Sequence, residues 1–326
     1  MGMSGTVSWG FLSTANINDK LLAGAAESDR VDVIAVASRD VERAEAYARE
    51  RGIERAYGNY EELLADPDVE AVYISLPNSL HVEWSISALE AGKHVLCEKP
   101  LSRRPEDVER AFDVAEQSDR LLMEAFMYRH NPQTAKLKEL VGEGAIGRLR
   151  LVRAAFSFPL AEAENVRLDA SLDGGGLMDV GCYCISGARL LGGEPARVYG
   201  EQVPSESGVD ELFTGTMRLP GDVLAQFDSG LVLPERDELE AIGEDGSLFL
   251  DDPWHCHRPV IELRTAAGVE EIALEPVDSY RLQLENMSDA IRGGAEPLLG
   301  RVDALGQARA IDALYRSAGE GTPVDL

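Results

Sequence analysis

Cysteine, lysine and long apolar runs are all scarce in this chain, and each scarcity removes a class of protein. Only four cysteines occur in 326 residues: Cys97, Cys182, Cys184 and Cys256. They are too few and too scattered for a disulfide framework, which points to a reducing compartment. No apolar run approaches the ~20 residues that cross a bilayer. The first ten residues carry no basic segment followed by an apolar one. A cytoplasmic protein without a membrane partner is the expectation. Lysine occurs only at Lys20, Lys93, Lys99, Lys136 and Lys138; arginine supplies the other basic residues, a skew that fits either a saline cytoplasm or a GC-rich genome. Lys and Arg total 31 against 58 Asp and Glu, a formal charge of −27. A field of that sign repels a phosphate backbone, so no nucleic-acid partner is expected.

What is present is the composition of a folded globular protein, with 44% hydrophobic and 27% charged residues. The length suits about two domains of ~100 to 200 residues. Through residue 125, short β-branched runs alternate with amphipathic segments. Strands are expected at Thr6–Gly10, Val31–Ala37, Ala71–Leu76 and His94–Cys97, with a very short one near Tyr57. Helices are expected at Ile17–Ala26, Val41–Arg51, Tyr60–Leu64, Leu80–Glu90 and Pro105–Gln117. That alternation implies an α/β, doubly wound parallel sheet of Rossmann type, covered on both faces. After Glu124 the rhythm changes: Pro132–Val141 and Gly174–Leu191 have helical spacing, and Leu149–Phe158 alternates as a strand. Five or six extended runs from Arg197 onward, separated by Pro220-Gly221-Asp222, Glu244-Asp245-Gly246 and Ala267-Gly268, predict a large, mainly antiparallel open sheet in an α+β domain. Helices Tyr280–Arg292 and Val302–Ser317 close the chain. The expected boundary lies at 125/126, dividing the chain into 1–125 and 126–326.

A strand, tight loop and helix at the start of a parallel sheet place backbone N–H groups and a positive helix end at the strand's carboxyl edge, where phosphate binds. Here the loop reads Gly10-Phe11-Leu12-Ser13-Thr14-Ala15, with Gly10 expected to allow the turn and small Ser13 and Ala15 to permit close approach. Leu12 stands where G-x-G-x-x-G has its second glycine, so taken alone the loop also fits an ordinary βα turn. The second strand ends Ala37-Ser38-Arg39. NAD enzymes place an acid there; a hydroxyl and a guanidinium suit a 2′-phosphate, which favours NADP(H) over NAD(H). The alternative is that Arg39 pairs with Asp40 or Glu42 on a solvated helix start. Leu76-Pro77-Asn78 ends the next strand at the same edge, with His81 close behind it. A lone histidine is more often structural.

Glu98-Lys99-Pro100 follows the fifth strand and brings a charged pair to that edge. An ammonium at Lys99 can stabilise an alkoxide or favour a phenolate. In the second half, Gly174-Gly175-Gly176 precedes Asp179 and Tyr183, four residues apart and hence on one face of a helix. Tyr183 with Lys99 is a candidate general acid/base, and Asp179 can orient a substrate hydroxyl. The same spacing fits a helix-cap region with a buried tyrosine. Trp254-His255-Cys256-His257 suggests a metal, but a strand would throw alternate side chains to opposite faces and no further ligand pair is evident, so no metal is expected.

These motifs together resemble the Gfo/Idh/MocA oxidoreductases over essentially the whole chain. The resemblance rests on the loop through Ala15-Asn16-Ile17, on Cys97-Glu98-Lys99-Pro100, on Glu124 to Pro132 (EAFMYRHNP), and on Gly174 through Tyr183. Ser38-Arg39 and a tyrosine at 183 are similar to the branch of NADP-dependent D-xylose 1-dehydrogenases and dimeric dihydrodiol dehydrogenases. The resemblance implies hydride transfer between nicotinamide and a hydroxyl-bearing carbon, with Lys99 and Tyr183 handling the proton. It implies that Thr14 and Asn16 join the cofactor loop, that Arg129 approaches the cofactor, that Asp179 binds substrate and that Phe158 lines the pocket. A homodimer or homotetramer through the C-terminal sheet is implied as well. The leading expectation is oxidation at C1 of an aldopyranose. Oxidation of trans-dihydrodiols or keto-sugar reduction comes next, then a nicotinamide-dependent glycoside hydrolase or a non-catalytic NADP-sensing regulator. Residues 161–172 match nothing usable in the family.

Overall fold

The computed structural model describes residues 5–161 and 165–326. Met1 to Ser4, at the start of the expected cofactor domain, and Glu162 to Glu164, within the 161–172 loop, lie outside the described residues. Contacts group the chain into two compact units, Met1–Met127 with Asp278–Leu305, and Tyr128–Val277 with Gly306–Leu326. The sequence reading divided the chain once, at 125/126; each unit also takes a segment from the C-terminal end.

The first unit is a six-stranded parallel sheet. Its elements run β1 (Val7–Leu12), α1 (Asn18–Ala26), β2 (Val31–Ala37), α2 (Val41–Arg51), β3 (Arg55–Tyr57), α3 (Tyr60–Leu64), β4 (Ala71–Ile74), α4 (His81–Glu90), β5 (His94–Cys97), α5 (Pro105–Gln117) and β6 (Leu122–Glu124). Strand order is β3-β2-β1-β4-β5-β6, so the winding reverses beside β1. The near-continuous apolar strands follow from burial on both faces: every residue of β4 is buried. Strand β6 has no signal of its own in three residues, and its pairing with β5 defines it.

The second unit contains α6 (Pro132–Gly142), β7 (Leu149–Pro159), α7 (Cys182–Gly192), β8 (Arg197–Pro204), β9 (Asp210–Leu219), β10 (Val223–Gly230), β11 (Val232–Gly243), β12 (Gly246–Leu250), β13 (Val260–Thr265) and β14 (Gly268–Ala273). With β15 (Val324–Asp325) they form a nine-stranded sheet, order β14-β13-β12-β11-β7-β10-β9-β8-β15. Only β7 and β10 pair in parallel. The chain leaves β10 at Gly230 and enters β11 at Val232, so Leu231 alone separates the two strands. Along β10 buried Val223, Ala225 and Phe227 alternate with exposed Leu224 and Gln226, so one face is covered and the other carries polar side chains.

Helices α8 (Ser279–Ile291) and α9 (Arg301–Glu320) come between β14 and β15. In the first unit α8 packs on α1, and Gly24 makes the approach possible. A Cβ there would sit 2.8 Å from the Arg281 backbone nitrogen and 3.0 Å from its Cα. Backbone cannot yield as a side-chain tip can. Gly24→Ala should therefore cost about 1–3 kcal/mol despite alanine's better helix propensity. A thermal melt with an unchanged midpoint would refute that packing argument.

Candidate functional site

The first unit gathers its candidate residues at the carboxyl ends of β1, β2, β4 and β5. The turn after β1 is made by Ser13, at φ 127°, and not by Gly10 as expected. Gly10 lies inside β1, where a Cβ would come within 2.7 Å of Leu63 Cδ2; the missing side chain admits α3. Ser13 holds its glycine-favouring backbone through a network: its N–H donates to Ala37 O at 3.1 Å, and its hydroxyl lies 2.8 Å from Ser75 Oγ. Asn18 Nδ2 donates to Ser13 O at 2.8 Å, and Ser75 Oγ donates to Asn18 Oδ1 at 2.6 Å. The network fixes the ends of three strands around the loop Thr14-Ala15-Asn16. Helix α1 has no side-chain cap at Ile17. Among the described residues, the backbone N–H groups of Thr14, Asn16 and Ile17 have no partner. Open donors at a helix start are the chemistry that receives a pyrophosphate.

At the end of β2, Ser38 is buried and Arg39 exposed. The pairing of Arg39 with Asp40 or Glu42 is not formed. Asp40 accepts from the Arg43 N–H at 3.2 Å as the N-cap of α2. Among the described residues neither Arg39 nor Arg43 enters an ion pair. Both act on the Tyr60 phenol, which burial pushes upward while the two guanidinium groups oppose it. In a chain of charge −27, two unpaired arginines beside a nucleotide-binding edge are suited to a phosphate.

Beyond β4, Leu76 and Pro77 lead into a short turn, Asn78–Leu80. His81 is buried. Its Nδ1 lies 2.9 Å from Pro100 O and its Nε2 2.8 Å from Leu76 O, so it braces two loops against each other. After β5, Glu98 N–H donates to Ile74 O at 2.9 Å, and its carboxylate accepts from the Tyr73 hydroxyl at 2.5 Å. Burial, then Glu98, drive the Tyr73 phenol far above its usual range. Lys99 follows at once, ahead of a cis bond to Pro100.

In the second unit, the expectation that Asp179 and Tyr183 share a face of one regular helix is corrected. Leu177–Gly181 is a π-helical turn, and α7 begins only at Cys182. Such turns recur at functional sites because they re-aim side chains. The turn is anchored by a residue that the motif did not reveal. Asp210, at the start of β9 and almost wholly buried, accepts from Leu177 N–H at 2.6 Å and from the Tyr315 hydroxyl at 2.8 Å. Gly175, at φ 121°, is the second glycine of the run, and a Cβ there would fall 2.2 Å from Asp210 Oδ1. The close approach that the glycines permit is to this carboxylate.

Asp179 is paired with Arg167, whose Nε lies 2.6 Å from its Oδ2. The Arg167 guanidinium also stands 5.8 Å over the Phe158 ring. Tyr183 is buried in an aromatic cluster: Phe156 meets it edge-on at 5.3 Å, Tyr128 at 5.8 Å and Trp254 at 5.9 Å. Trp254 is fully buried and donates its indole N–H to Ala155 O at 3.1 Å. Trp254 to His257 lie in a turn region and not on a strand. Arg129, in the turn Met127–His130, places Nη1 3.4 Å from Ser186 Oγ on α7. Phe156, Arg167, Arg43 and Asp210 are not among the residues expected from sequence, and Trp254 is there only as part of the Trp254–His257 motif. Phe156 shares the β7 alternation with Phe158, and Arg43 follows Arg39 by one helical turn; nothing local marks Asp210.

A doubly wound parallel sheet with open backbone donors at its switch point is the architecture of a dinucleotide-binding oxidoreductase domain. The chain belongs to the Gfo/Idh/MocA family. Residues 8–126 match the oxidoreductase family, NAD-binding Rossmann fold, and residues 134–249 match the GFO/IDH/MocA C-terminal domain. The chain is 39% identical over 323 residues to D-xylose 1-dehydrogenase (NADP(+)) 2 of Haloferax volcanii, covering 98% of this chain and 99% of that one. It is 35% identical to the trans-1,2-dihydrobenzene-1,2-diol dehydrogenase of Oryctolagus cuniculus, covering 78% and 77%. A 3-ketoreductase from Actinomadura kijaniata, solved with NADP and TDP-benzene, superimposes with a TM-score of 0.91 at 31% identity, covering 96% and 98%. Among the described residues no helix is long and apolar enough to cross a membrane.

Burial pushes the Asp210 carboxyl up to about 6, against accepted hydrogen bonds that pull it down. The folded protein thus holds this proton more tightly than the unfolded chain, whose carboxyl titrates near ~4. The group's contribution to stability is fully present below about pH 4 and is lost as pH rises through about 6. Asp210→Asn removes the titration, so its melting temperature relative to the native protein should climb between pH 4 and pH 7. An offset that stays constant with pH would contradict the burial argument.

Proposed function

We propose that the protein is an NADP(H)-dependent dehydrogenase that oxidises C1 of an aldopyranose to the lactone. The observation that carries the cofactor preference is the pair of unpaired guanidinium groups, Arg39 and Arg43, at the end of β2. Thr14, Ala15 and Asn16 with Ser13 would hold the pyrophosphate, Ser38 and Arg39 the 2′-phosphate. Gly10 serves the loop by admitting α3 beneath it. Leu76, Pro77, Asn78, Glu98 and Lys99 would line the same edge, with His81 bracing it, and Arg129 has a cofactor-binding role in this reading. When bound, the nicotinamide supplies the hydride acceptor. The protein's own part is to position the sugar and move one proton. Tyr183 takes the proton of the reacting hydroxyl, Lys99 supplies the cation that favours the anionic oxygen, and Asp179 orients the substrate. Phe158 would offer an apolar face to the sugar's C–H edges, with buried Phe156 supporting Tyr183 behind it.

The enzyme works in the cytoplasm in this reading, where its four free, buried cysteines stay reduced. Residues 1–125 hold the cofactor; 126–326 hold the substrate and build a dimer or tetramer through the nine-stranded sheet. The sheet's polar face carries a concavity of about 620 Å³, lined by Arg153, Tyr199, Gln226, Arg236 and Phe249 among others. A second reading, keto-sugar reduction or dihydrodiol oxidation with the same residues, draws on the ketoreductase and diol dehydrogenase relatives.

Screening aldoses, polyols and diols with NADP and NAD separates these substrates by the absorbance of the reduced nicotinamide. Tyr183→Phe should lower kcat by about 10²- to 10⁴-fold with NADPH affinity near native. Turnover that survives would remove Tyr183 from the acid/base role. Arg39→Asp should weaken NADP about ten- to hundredfold and leave NAD binding unchanged. Equal losses for both cofactors would defeat the 2′-phosphate assignment.

A further inference from the structure

At the edge of the aromatic cluster that surrounds Tyr183 stands a polar pair with no part in the reaction as proposed. Asp237, on β11, is largely buried, and its two carboxylate oxygens do different work. Oδ1 accepts from the Trp254 backbone N–H at 3.2 Å, and Oδ2 lies 2.6 Å from His255 Nδ1. One side chain thus pins both the turn that carries Trp254 and the imidazole that follows it. The ring is fixed on its faces as well: it meets Phe156 edge-on at 5.5 Å and stacks on His257 at 5.5 Å, with planes 13° apart. Phe156 is the ring that meets Tyr183 at 5.3 Å. His255 therefore stands one ring away from the candidate acid/base.

The orientation leaves one nitrogen available. Nδ1 is the atom against Asp237, so it carries the proton there, and among the described residues Nε2 has no hydrogen-bond partner. The side chain is 41% exposed, whereas Trp254 and Phe156 beside it are buried. Asp252 approaches the same Nδ1 at 3.9 Å. With the proton on Nδ1, the trio is a hydrogen-bonded pair beside a second carboxylate, its ligand atoms within 4.8 Å of one another. Sites for small polar ligands combine apolar walls with a few fixed polar atoms, and a nitrogen held rigidly by a buried carboxylate is such an atom.

We propose that His255, oriented by Asp237, is a specificity residue whose exposed Nε2 hydrogen-bonds a non-reacting hydroxyl of a polyhydroxylated substrate bound at the edge of this aromatic cluster. The proposal rests on the dehydrogenase reading for its substrate class. It adds the element that discriminates among sugars by a hydroxyl remote from the reacting carbon. Asp237 is a positioning residue, acting through the imidazole.

Two measurements test it. In steady-state kinetics with the preferred aldose, His255→Phe, which keeps the ring contacts and removes the nitrogens, should raise KM about tenfold with kcat within about twofold. NADPH affinity should not change. Across monodeoxy analogues of that sugar, one should lose affinity with the native enzyme and show no further loss with His255→Phe. An unchanged KM, or a fall in kcat at constant KM, overturns the proposal. Asp237→Asn should reproduce the KM effect in weaker form. Independently of turnover, the imidazole C–H resonances of the native protein, which has five histidines, can be followed by NMR as D-xylose or D-glucose is added. A saturable shift of the His255 signal supports the proposal, and its absence with both sugars at concentrations that saturate turnover overturns it. If no aldose, polyol or diol reduces nicotinamide, the dehydrogenase reading fails. The NMR titration, run to the solubility limit, then decides the His255 site alone.

Discussion

The second unit depends on a carboxylate buried where burial is unfavourable. Asp210 is kept in place by the Leu177 N–H and the Tyr315 hydroxyl. Those bonds hold the first turn of the segment that carries Asp179 and Tyr183, and they tie it to β9 and α9 together. Unpaired donors at a helix start must find an acceptor when they leave water. Asp210 is that acceptor, and the glycine run exists because any side chain at 175 would occupy the carboxylate's place. A motif that looks like a ligand loop is thus first an internal fit. Its functional consequence follows from rigidity: with the turn clamped at its N-terminal end, Asp179 and Tyr183 are presented from a fixed backbone.

The first unit applies the opposite rule. At α1 and at the end of β2, donors and cations are left without protein partners, while elsewhere the chain's many acids recruit arginines freely. Arg51 is held by Asp19, Arg55 by Asp66, and Arg301 by Asp113 and Glu116. Arg39 and Arg43 escape this because Asp40 is committed to the helix cap. The cap that starts α2 therefore also keeps the neighbouring guanidinium groups available. The helix start and the exposed positive charge beside it thus have one origin.

Much of this was readable from sequence, for identifiable reasons. Strands β2 and β5 and helices α2, α3 and α5 fall where the sequence places them, because the strands are short apolar runs and the helices begin at Asp40, Asn59 and Pro105, residues that favour a helix start. The turn after β1 was misplaced to Gly10 because a glycine ahead of apolar residues looks like a loop; only the position of Leu63 shows that it is a packing glycine. The π turn was invisible because it is a shift of hydrogen-bond register, not a change of composition. Arg167 and Asp210 were missed for a common reason. Each acts across 12 or 33 residues of chain, through a contact that neither periodicity nor spacing encodes.

Strand β7 shows why the substrate side and the sheet's polar side are coupled. Its residues alternate in direction, so Val152, Ala154 and Phe156 lie on one face and Arg153 on the other. Phe156 supports Tyr183 and His255; Arg153 lines the concavity on the polar face. A slip of one residue would exchange the two sets and leave both faces wrong. The register is held from both edges. On one side β10 pairs with β7 in parallel over seven residues, from Leu224 with Leu151 to Gly230 with Ser157. On the other, β11 pairs antiparallel and breaks register between Val232 and Arg236, which lets Pro234 O accept from the Ser157 hydroxyl at 2.8 Å. The irregularity ends at Arg236, which resumes the pairing opposite Ser157, and Asp237 pairs with Phe156 directly after it. The same local departure from a regular ladder that fixes Phe156 against Tyr183 also sets the position from which Asp237 reaches His255.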